Sequence, residues 1–145
     1  MNILRVNYSM KILIICTGNS CRSQIAEGFF KHYKKDWEIY SAGISPKGLN
    51  PLAIDVMLEK GIDISNQTSD GIDKYINNKF DYVITVCNRA KETCPVFPNA
   101  KTNLHWSFTD PADTVGTYEE KINKFRDVRN QIEEKIIQFL KKLIL

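Results

Sequence analysis

Four consecutive aliphatic residues that run straight into a polar loop most constrain how this chain can fold. Residues 12–15 read Ile-Leu-Ile-Ile, and such an uninterrupted apolar run is typical of a parallel strand buried on both faces. Polar residues follow at 17–20, and from Arg22 to about Tyr33 apolar side chains return at helical spacing. These residues predict a strand, a loop and a helix in succession.

The same alternation continues along the rest of the chain. Further strands are predicted at 37–41, 82–86 and 103–106, and further helices at 50–60, 69–76 and from 117 to the C-terminal end. Repeated β-α-β units indicate an α/β protein with a doubly wound, four-stranded parallel sheet flanked by helices on both faces. Ligands bind such sheets at the carboxyl ends of the strands, and Cys16, Cys87 and Asp110 all follow predicted strands.

The bulk properties exclude several classes of protein. At 145 residues and 43% hydrophobic, the chain is expected to form one domain over 1–145, with 1–9 as an N-terminal extension before Met10. A net charge of +3 without a basic stripe argues against nucleic-acid binding, and the chain has no apolar run of the roughly 20 residues that cross a membrane. Because no secretory signal pattern is seen, we expect a cytoplasmic monomer whose four cysteines are not structural disulfides.

The loop after the first strand has the composition of an oxyanion site. Cys16 lies six positions before Arg22, and Gly18 and Asn19 can adopt left-handed backbone angles that turn amide N–H groups inward. With the following helix N-terminus and the guanidinium, these amides would hold a tetrahedral, multiply charged anion. We expect a Cys16 thiolate nucleophile that accepts a hydrogen bond from Ser23. The expected oxyanion-binding residues are Thr17, Gly18, Asn19, Ser20, Cys21 and Arg22.

The segment CTGNSCRSQIAEG resembles the active-site segment of the low-molecular-weight tyrosine phosphatase fold and of its arsenate reductase branch, over residues 10–145. The resemblance implies that Asp110, in Asp110-Pro111, is the general acid. It also implies a monovalent cation site, often potassium, at Asn19, Glu27, Ser41 and Asp70, although polar groups that only brace the loop would give the same pattern. No obligatory cofactor is implied.

A pair of later cysteines separates the two branches. Reducing arsenate to arsenite takes two electrons, which two thiols can supply by forming a disulfide, whereas phosphate hydrolysis needs only one thiolate and one acid. Cys87 and Cys94 resemble the pair of the thioredoxin-coupled arsenate reductases, and Ala112 and Asp113 replace the tyrosines that typically follow Asp-Pro in the phosphatases. The resemblance implies a Cys16–Cys87–Cys94 relay reset by thioredoxin, with weak residual phosphatase activity and with phosphate or sulfate as substrate mimics. We also expect residues 87–94 to unwind when the pair is oxidised.

Other functions remain open at this level. A low-molecular-weight tyrosine phosphatase acting through a Cys16 phosphoenzyme is the main alternative, and an anion-binding or phosphocarrier module is another. A zinc site is disfavoured because gaps of four and six residues between the cysteines exceed most of the usual spacings. His32 and His105 show no partner at recognisable spacing, so we place them on a helix surface and at a strand end.

Overall fold

The computed structural model describes residues 9–88 and 96–144 and contains the expected parallel sheet. Its strands are β1 (Lys11–Cys16), β2 (Glu38–Gly43), β3 (Phe80–Thr85) and β4 (Ala100–His105). Its α-helices are α1 (Arg22–Tyr33), α2 (Pro51–Leu58) and α3 (Tyr118–Ile144), and short 3-10 helices span Ile72–Tyr75 and Pro111–Asp113.

The sheet is parallel throughout and has the order β2-β1-β3-β4. β1 has β2 on one side and β3 on the other, so the strand order reverses at β1. Ligands bind at such a reversal in doubly wound folds. Cys16 pairs with Gly43 of β2, and the amide of Val86 donates to the carbonyl of Ile15 at 2.9 Å. The carboxyl ends of β1, β2 and β3 therefore meet at one edge, and the expected fold class is confirmed.

Alternation along β1 divides the core between the two faces of the sheet. Ile12 and Ile14 pack with side chains from α1, α2 and α3, whereas Leu13 and Ile15 pack on the other face with Tyr75 and its neighbours. All four of these aliphatic residues are fully buried. The continuous apolar run is thus explained by a strand that is covered on both sides.

Helix ends follow the capping signals closely. α1 has the predicted bounds, and α2 begins after Asn50, whose side chain accepts a hydrogen bond from the amide of Leu52 while Pro51 fills the first helical position. Gly61, just beyond α2, has a φ of 74°. That left-handed angle is the reason for glycine at this position.

The region 69–76 differs from the predicted helix. Gly71 forms an isolated bridge with Gly43, and the amide of Gly43 donates to the carbonyl of Asp70 at 2.9 Å. These contacts hold 69–71 beside the end of β2, so only Ile72–Tyr75 winds into a 3-10 helix. The segment therefore lies beside the end of β2, and from there the amide of Asp70 reaches Asn19 of the polar loop.

The longest described helix is α3, at the C-terminal end of the chain. α3 is 27 residues long but carries charged side chains along its length. None of the helices within 9–88 and 96–144 is long and apolar enough to cross a membrane.

Candidate active site

A cleft of about 350 Å³ opens at the carboxyl end of β1. Three segments line it: the polar loop with the first residue of α1, a single residue from the segment after β2, and the Asp-Pro turn after β4. The lining residues are Cys16, Thr17, Gly18, Ser20, Cys21, Arg22, Lys47, Asp110, Ala112 and Asp113. The structure thus brings together most of the residues singled out in the sequence.

Cys16 sits at the base of the cleft with hydrogen-bond donors around its sulfur. Its Sγ lies 2.9 Å from Ser23 Oγ, and the amide of Asn19 donates to Sγ at 3.2 Å. Ser23 Oγ also accepts from Asn19 Nδ2 at 2.8 Å, and its own hydroxyl hydrogen can be donated to the sulfur. The sulfur thus has two groups within hydrogen-bonding distance.

Asn19 holds the loop in its shape. Its φ is 45°, which confirms the expected left-handed backbone, and its Oδ1 accepts from the amide of Asp70 at 2.8 Å. Gly18, in contrast, does not use the left-handed region that is open to it. A Cβ at this position would lie 3.3 Å from Lys47 Cδ, so the Lys47 side chain packs closely on the glycine.

The segment after β2 is bound to the loop through main-chain atoms. The amides of Ser45, Lys47 and Asn50 donate to the carbonyls of Thr17, Gly18 and Ser20 at 3.0, 2.9 and 3.1 Å. A loop whose carbonyls are occupied on its outer side can turn its amides toward the cleft. These bonds therefore supply the support that an oxyanion loop requires.

Arg22 provides a buried positive charge beside a partly exposed carboxylate. The arginine is 2% exposed, its Nη1 donates to the carbonyl of Phe108 at 3.2 Å, and its Nη2 lies 3.5 Å from Asp110 Oδ2. Asp110 Oδ1 accepts from the amide of Ala112 at 3.0 Å. Guanidinium and carboxylate thus lie next to each other in the lining of the cleft that also contains Cys16.

α1 begins at the cleft without a side-chain cap. Its N-cap position is Cys21, whose side chain makes no capping hydrogen bond. The positive end of the helix dipole therefore points at the loop with no capping side chain between them.

Cys21 is expected to stay protonated and unreactive. Burial, with a further contribution from the negative charge of Asp110, raises the pKa of this thiol to about 12. At pH 9 only about one Cys21 in a thousand would then be a thiolate, the form that reacts with iodoacetamide. Mass spectrometry of the reduced, alkylated protein between pH 7 and 9 should find Cys16 modified and Cys21 intact. Equal labelling of the two would contradict this assignment.

Ser23→Ala should weaken the nucleophile without unfolding the protein. Loss of one hydrogen bond to a charged group typically costs about 1.5–3 kcal/mol, so we expect Cys16 alkylation at pH 7 to slow by about 10- to 100-fold. Ser65→Ala, on the surface, is the matched control and should alkylate at the wild-type rate. An unchanged rate in Ser23→Ala would show that the serine does not donate to sulfur.

The remaining cysteines of the expected relay lie beyond β3. Cys87 is fully buried and disulfide-bonded, whereas Cys16 and Cys21 are free thiols. Val86 runs beside Cys16 in the sheet, so Cys87 leaves the neighbouring strand at the same edge. Cys94 falls in 89–95, outside the described residues, and so does most of the segment expected to unwind.

The four residues expected to bind a cation do converge on one cluster. Asn19 Nδ2 donates to Ser41 Oγ at 2.8 Å, and Ser41 in turn donates to Glu27, while Asp70 bonds to Asn19 from the other side. The charges in this cluster are balanced internally, because Lys31 pairs with Glu27 and Lys74 lies 3.5 Å from Asp70. Over the described part of the chain, no group of three or more His, Cys, Asp or Glu side chains could hold a metal ion.

Both histidines are placed as the sequence suggested. His32 is exposed on α1, and His105 is the last residue of β4. His105 Nδ1 also lies 2.7 Å from Thr85 Oγ1 on β3, a cross-strand contact that no local pattern signals.

Lys47 and Asp113 line the cleft and were not identified as site residues from the sequence. They flank the site on different segments, one after β2 and one after β4. The rule that residues following parallel strands form the site could have found both.

Comparison with known proteins gives a consistent result. The model of the low molecular weight phosphotyrosine protein phosphatase family matches residues 11–144. An arsenate reductase of Halalkalibacterium halodurans is 52% identical over 129 residues, which cover 88% of this chain and 93% of that protein.

Two solved structures extend the comparison. An arsenate reductase in the phosphate-binding state superposes with a TM-score of 0.78 at 33% identity, over 92% of this chain and 98% of that one. A thioredoxin-dependent arsenate reductase of Corynebacterium glutamicum gives a TM-score of 0.70 at 27% identity, over 95% of this chain and 63% of that one.

Proposed function

This chain belongs to the low molecular weight phosphotyrosine protein phosphatase family, and within it we propose that the protein is an arsenate reductase acting through a thiol relay reset by thioredoxin. The observation that carries the proposal is the combination of Cys16, with hydrogen-bond partners around its sulfur, and a disulfide-bonded Cys87 at the same edge of the sheet. The relatives that are arsenate reductases support the substrate.

The first step is attack by Cys16 on arsenate. The loop amides, the start of α1 and Arg22 hold the anion, while Asp110 gives a proton to the oxygen that leaves as water. A Cys16 sulfur–arsenic bond forms and an arsenic–oxygen bond breaks, so arsenic is still in its +5 state. Ser23 Oγ and the amide of Asn19 lie within hydrogen-bonding distance of the attacking sulfur.

The second step moves two electrons to arsenic. The Cys87 thiolate attacks Cys16 Sγ, the sulfur–sulfur bond forms, and the electron pair of the sulfur–arsenic bond leaves with arsenic as arsenite. Cys94 then attacks Cys87, which frees Cys16 and leaves a Cys87–Cys94 disulfide. The thioredoxin dithiol reduces that disulfide and becomes oxidised. A disulfide-bonded Cys87 is the form expected at the end of this cycle.

Supplying thioredoxin, thioredoxin reductase and NADPH to the wild-type protein tests the proposal. We expect arsenate-dependent NADPH oxidation that stops when thioredoxin is omitted, with one NADPH consumed per arsenite formed. Phosphate in place of arsenate should give no oxidation. Hydrolysis of an aryl phosphate without any arsenate-dependent NADPH loss would instead establish a phosphatase that works through a Cys16 phosphoenzyme.

Slow aryl phosphate hydrolysis by the reductase is part of the same proposal. The cleft of about 350 Å³ lies within the range of small-molecule sites, so it can admit more than an inorganic anion. Ala112 and Asp113 offer no aromatic surface for a phenyl ring. The leaving group would therefore be held weakly, and hydrolysis would be the slower activity.

The setting of this activity is proposed with it. We place the protein in the cytoplasm as a single-domain monomer whose role is arsenic detoxification. No obligatory cofactor is needed for the steps above. The potassium expectation gains no support from the described residues, because Lys31 and Lys74 already face the two carboxylates of the cluster, and it stays a prediction that comparison of sodium and potassium buffers would test.

A further inference from the structure

We propose that Lys47 is a second cationic residue of the oxyanion site, which captures the arsenate dianion at the mouth of the cleft and passes it to Arg22. This inference rests on the proposed function for its substrate, and it adds a residue that no part of the motif contains. Lys47 lies outside the loop, on the segment that follows β2.

The backbone of Lys47 is fixed against the loop. Its amide donates to the carbonyl of Gly18 at 2.9 Å, and the flanking bonds from Ser45 and Asn50 hold the segment on either side. The amide of Gly48 adds a bond to Ser69 Oγ at 3.1 Å. These bonds fix the backbone of Lys47 relative to the loop, while its side chain is exposed to solvent.

The side chain runs over the loop toward the cleft. A Cβ on Gly18 would lie 3.3, 3.5 and 3.8 Å from Lys47 Cδ, Cγ and Cε, so the aliphatic stem covers this glycine. The same side chain contributes to the lining of the cleft. The stem packs on the loop and the ammonium extends toward solvent at the mouth, the usual arrangement for a lysine whose aliphatic stem lies on a protein surface.

The charges of the cleft give the ammonium its role. The lining contains two cations, Arg22 and Lys47, and two carboxylates, Asp110 and Asp113. Arg22 is already engaged by Asp110 and by the carbonyl of Phe108. Without Lys47, the two carboxylates and a Cys16 thiolate would outweigh Arg22, and an arriving arsenate dianion would meet a more negative site; Lys47 is the cation in contact with solvent that offsets part of this charge.

A cation in this position affects capture more than chemistry. Charged groups at the rim of a binding site act mainly on association and on its salt dependence, because salt screens exposed charges within about 10 Å. We therefore expect Lys47 to contribute to kcat/KM for arsenate and to the binding of any tetrahedral dianion, with little effect on kcat.

The test compares Lys47→Met, Lys47→Arg and Lys35→Met with the wild-type protein. Methionine keeps an apolar stem and removes the charge, and arginine keeps the charge. Lys35 is an exposed lysine before β2, at the end of the sheet opposite the cleft, so Lys35→Met matches the change in net charge. The first readout is the inorganic phosphate concentration that halves the rate of Cys16 alkylation by iodoacetamide, and the second is kcat/KM for arsenate.

In low salt, Lys47→Met should raise the phosphate concentration that halves the Cys16 alkylation rate by about tenfold, and it should lower kcat/KM for arsenate by a similar factor. About 200 mM KCl should reduce both effects, because salt screens exposed charges. Lys47→Arg should stay close to the wild-type protein, and Lys35→Met should match it. The inference would be overturned if phosphate protected Cys16 of Lys47→Met from iodoacetamide at the same concentration as in the wild-type protein. It would also be overturned if phosphate did not protect Cys16 of the wild-type protein at all. Phosphate protection that depends on Lys47 in a protein that fails to turn over arsenate would reject the proposed function and leave this inference standing.

Discussion

Cys87→Ser should stop thioredoxin-coupled arsenate turnover and leave aryl phosphate hydrolysis nearly intact. Serine cannot form the disulfide with Cys16 whose formation supplies two electrons to arsenic, so NADPH oxidation should fall to the rate without enzyme, a loss of at least about 1000-fold. Hydrolysis through a Cys16 phosphoenzyme needs no second thiol and should change by less than about threefold. Measuring both activities on one preparation checks the prediction.

The buried position of Cys87 requires a second variant. The residue is fully buried, and a serine hydroxyl there could destabilise the protein without any effect on redox chemistry. Cys87→Ala removes the thiol without adding a polar group, so the two variants should agree in activity even if their thermal unfolding midpoints differ. Arsenate reduction at the wild-type rate in either variant would rule out the relay.

Cys16→Ser should abolish both activities and still bind oxyanions. A serine hydroxyl is not ionised near neutral pH, and the loss of the nucleophile should lower turnover by at least about 10⁴-fold. The serine can keep hydrogen bonds to Ser23 and to the amide of Asn19, so the loop should retain its shape. Removing the negative thiolate should also strengthen phosphate binding, because like charges no longer share the site.

Thermal unfolding with and without phosphate separates these effects. A ligand that binds only the folded state stabilises it by RT ln(1 + [L]/Kd), so at one phosphate concentration the tighter binder is stabilised more. Phosphate should therefore raise the unfolding midpoint of Cys16→Ser by at least as much as that of the wild-type protein. Loss of the phosphate effect would mean that the sulfur itself organises the loop. Residual turnover near the wild-type level would mean that another group is the nucleophile.

The parts of the fold that the sequence predicts well are those fixed by neighbours in the chain. Buried β1, the bounds of α1 and the Asn50 cap all depend on residues within a few positions of one another. The 69–76 region was less well predicted because its shape is set by contact with Gly43, on a strand far away in sequence. Local propensity carries no information about such a partner.

The same distinction applies to the site. Cys16, Arg22 and Ser23 lie within one motif, so their association could be inferred directly. The bond from Asp70 to Asn19 and the position of Lys47 depend on how separate crossovers return to β1, and no spacing rule contains that geometry. The raised pKa of Cys21 likewise depends on burial and on Asp110, which come together only in the folded chain.

The attachment of the segment after β2 to the loop has a consequence for how such proteins can diverge. The three bonds involve only main-chain amides and carbonyls, so they place no demand on the side chains at 45 and 47. A mutation at 47 can change the charge, size or polarity presented to an incoming anion while the nucleophile and its donors stay in place. Anion preference and catalytic machinery can therefore be selected separately, and new substrates could be acquired through single substitutions at the mouth of the cleft.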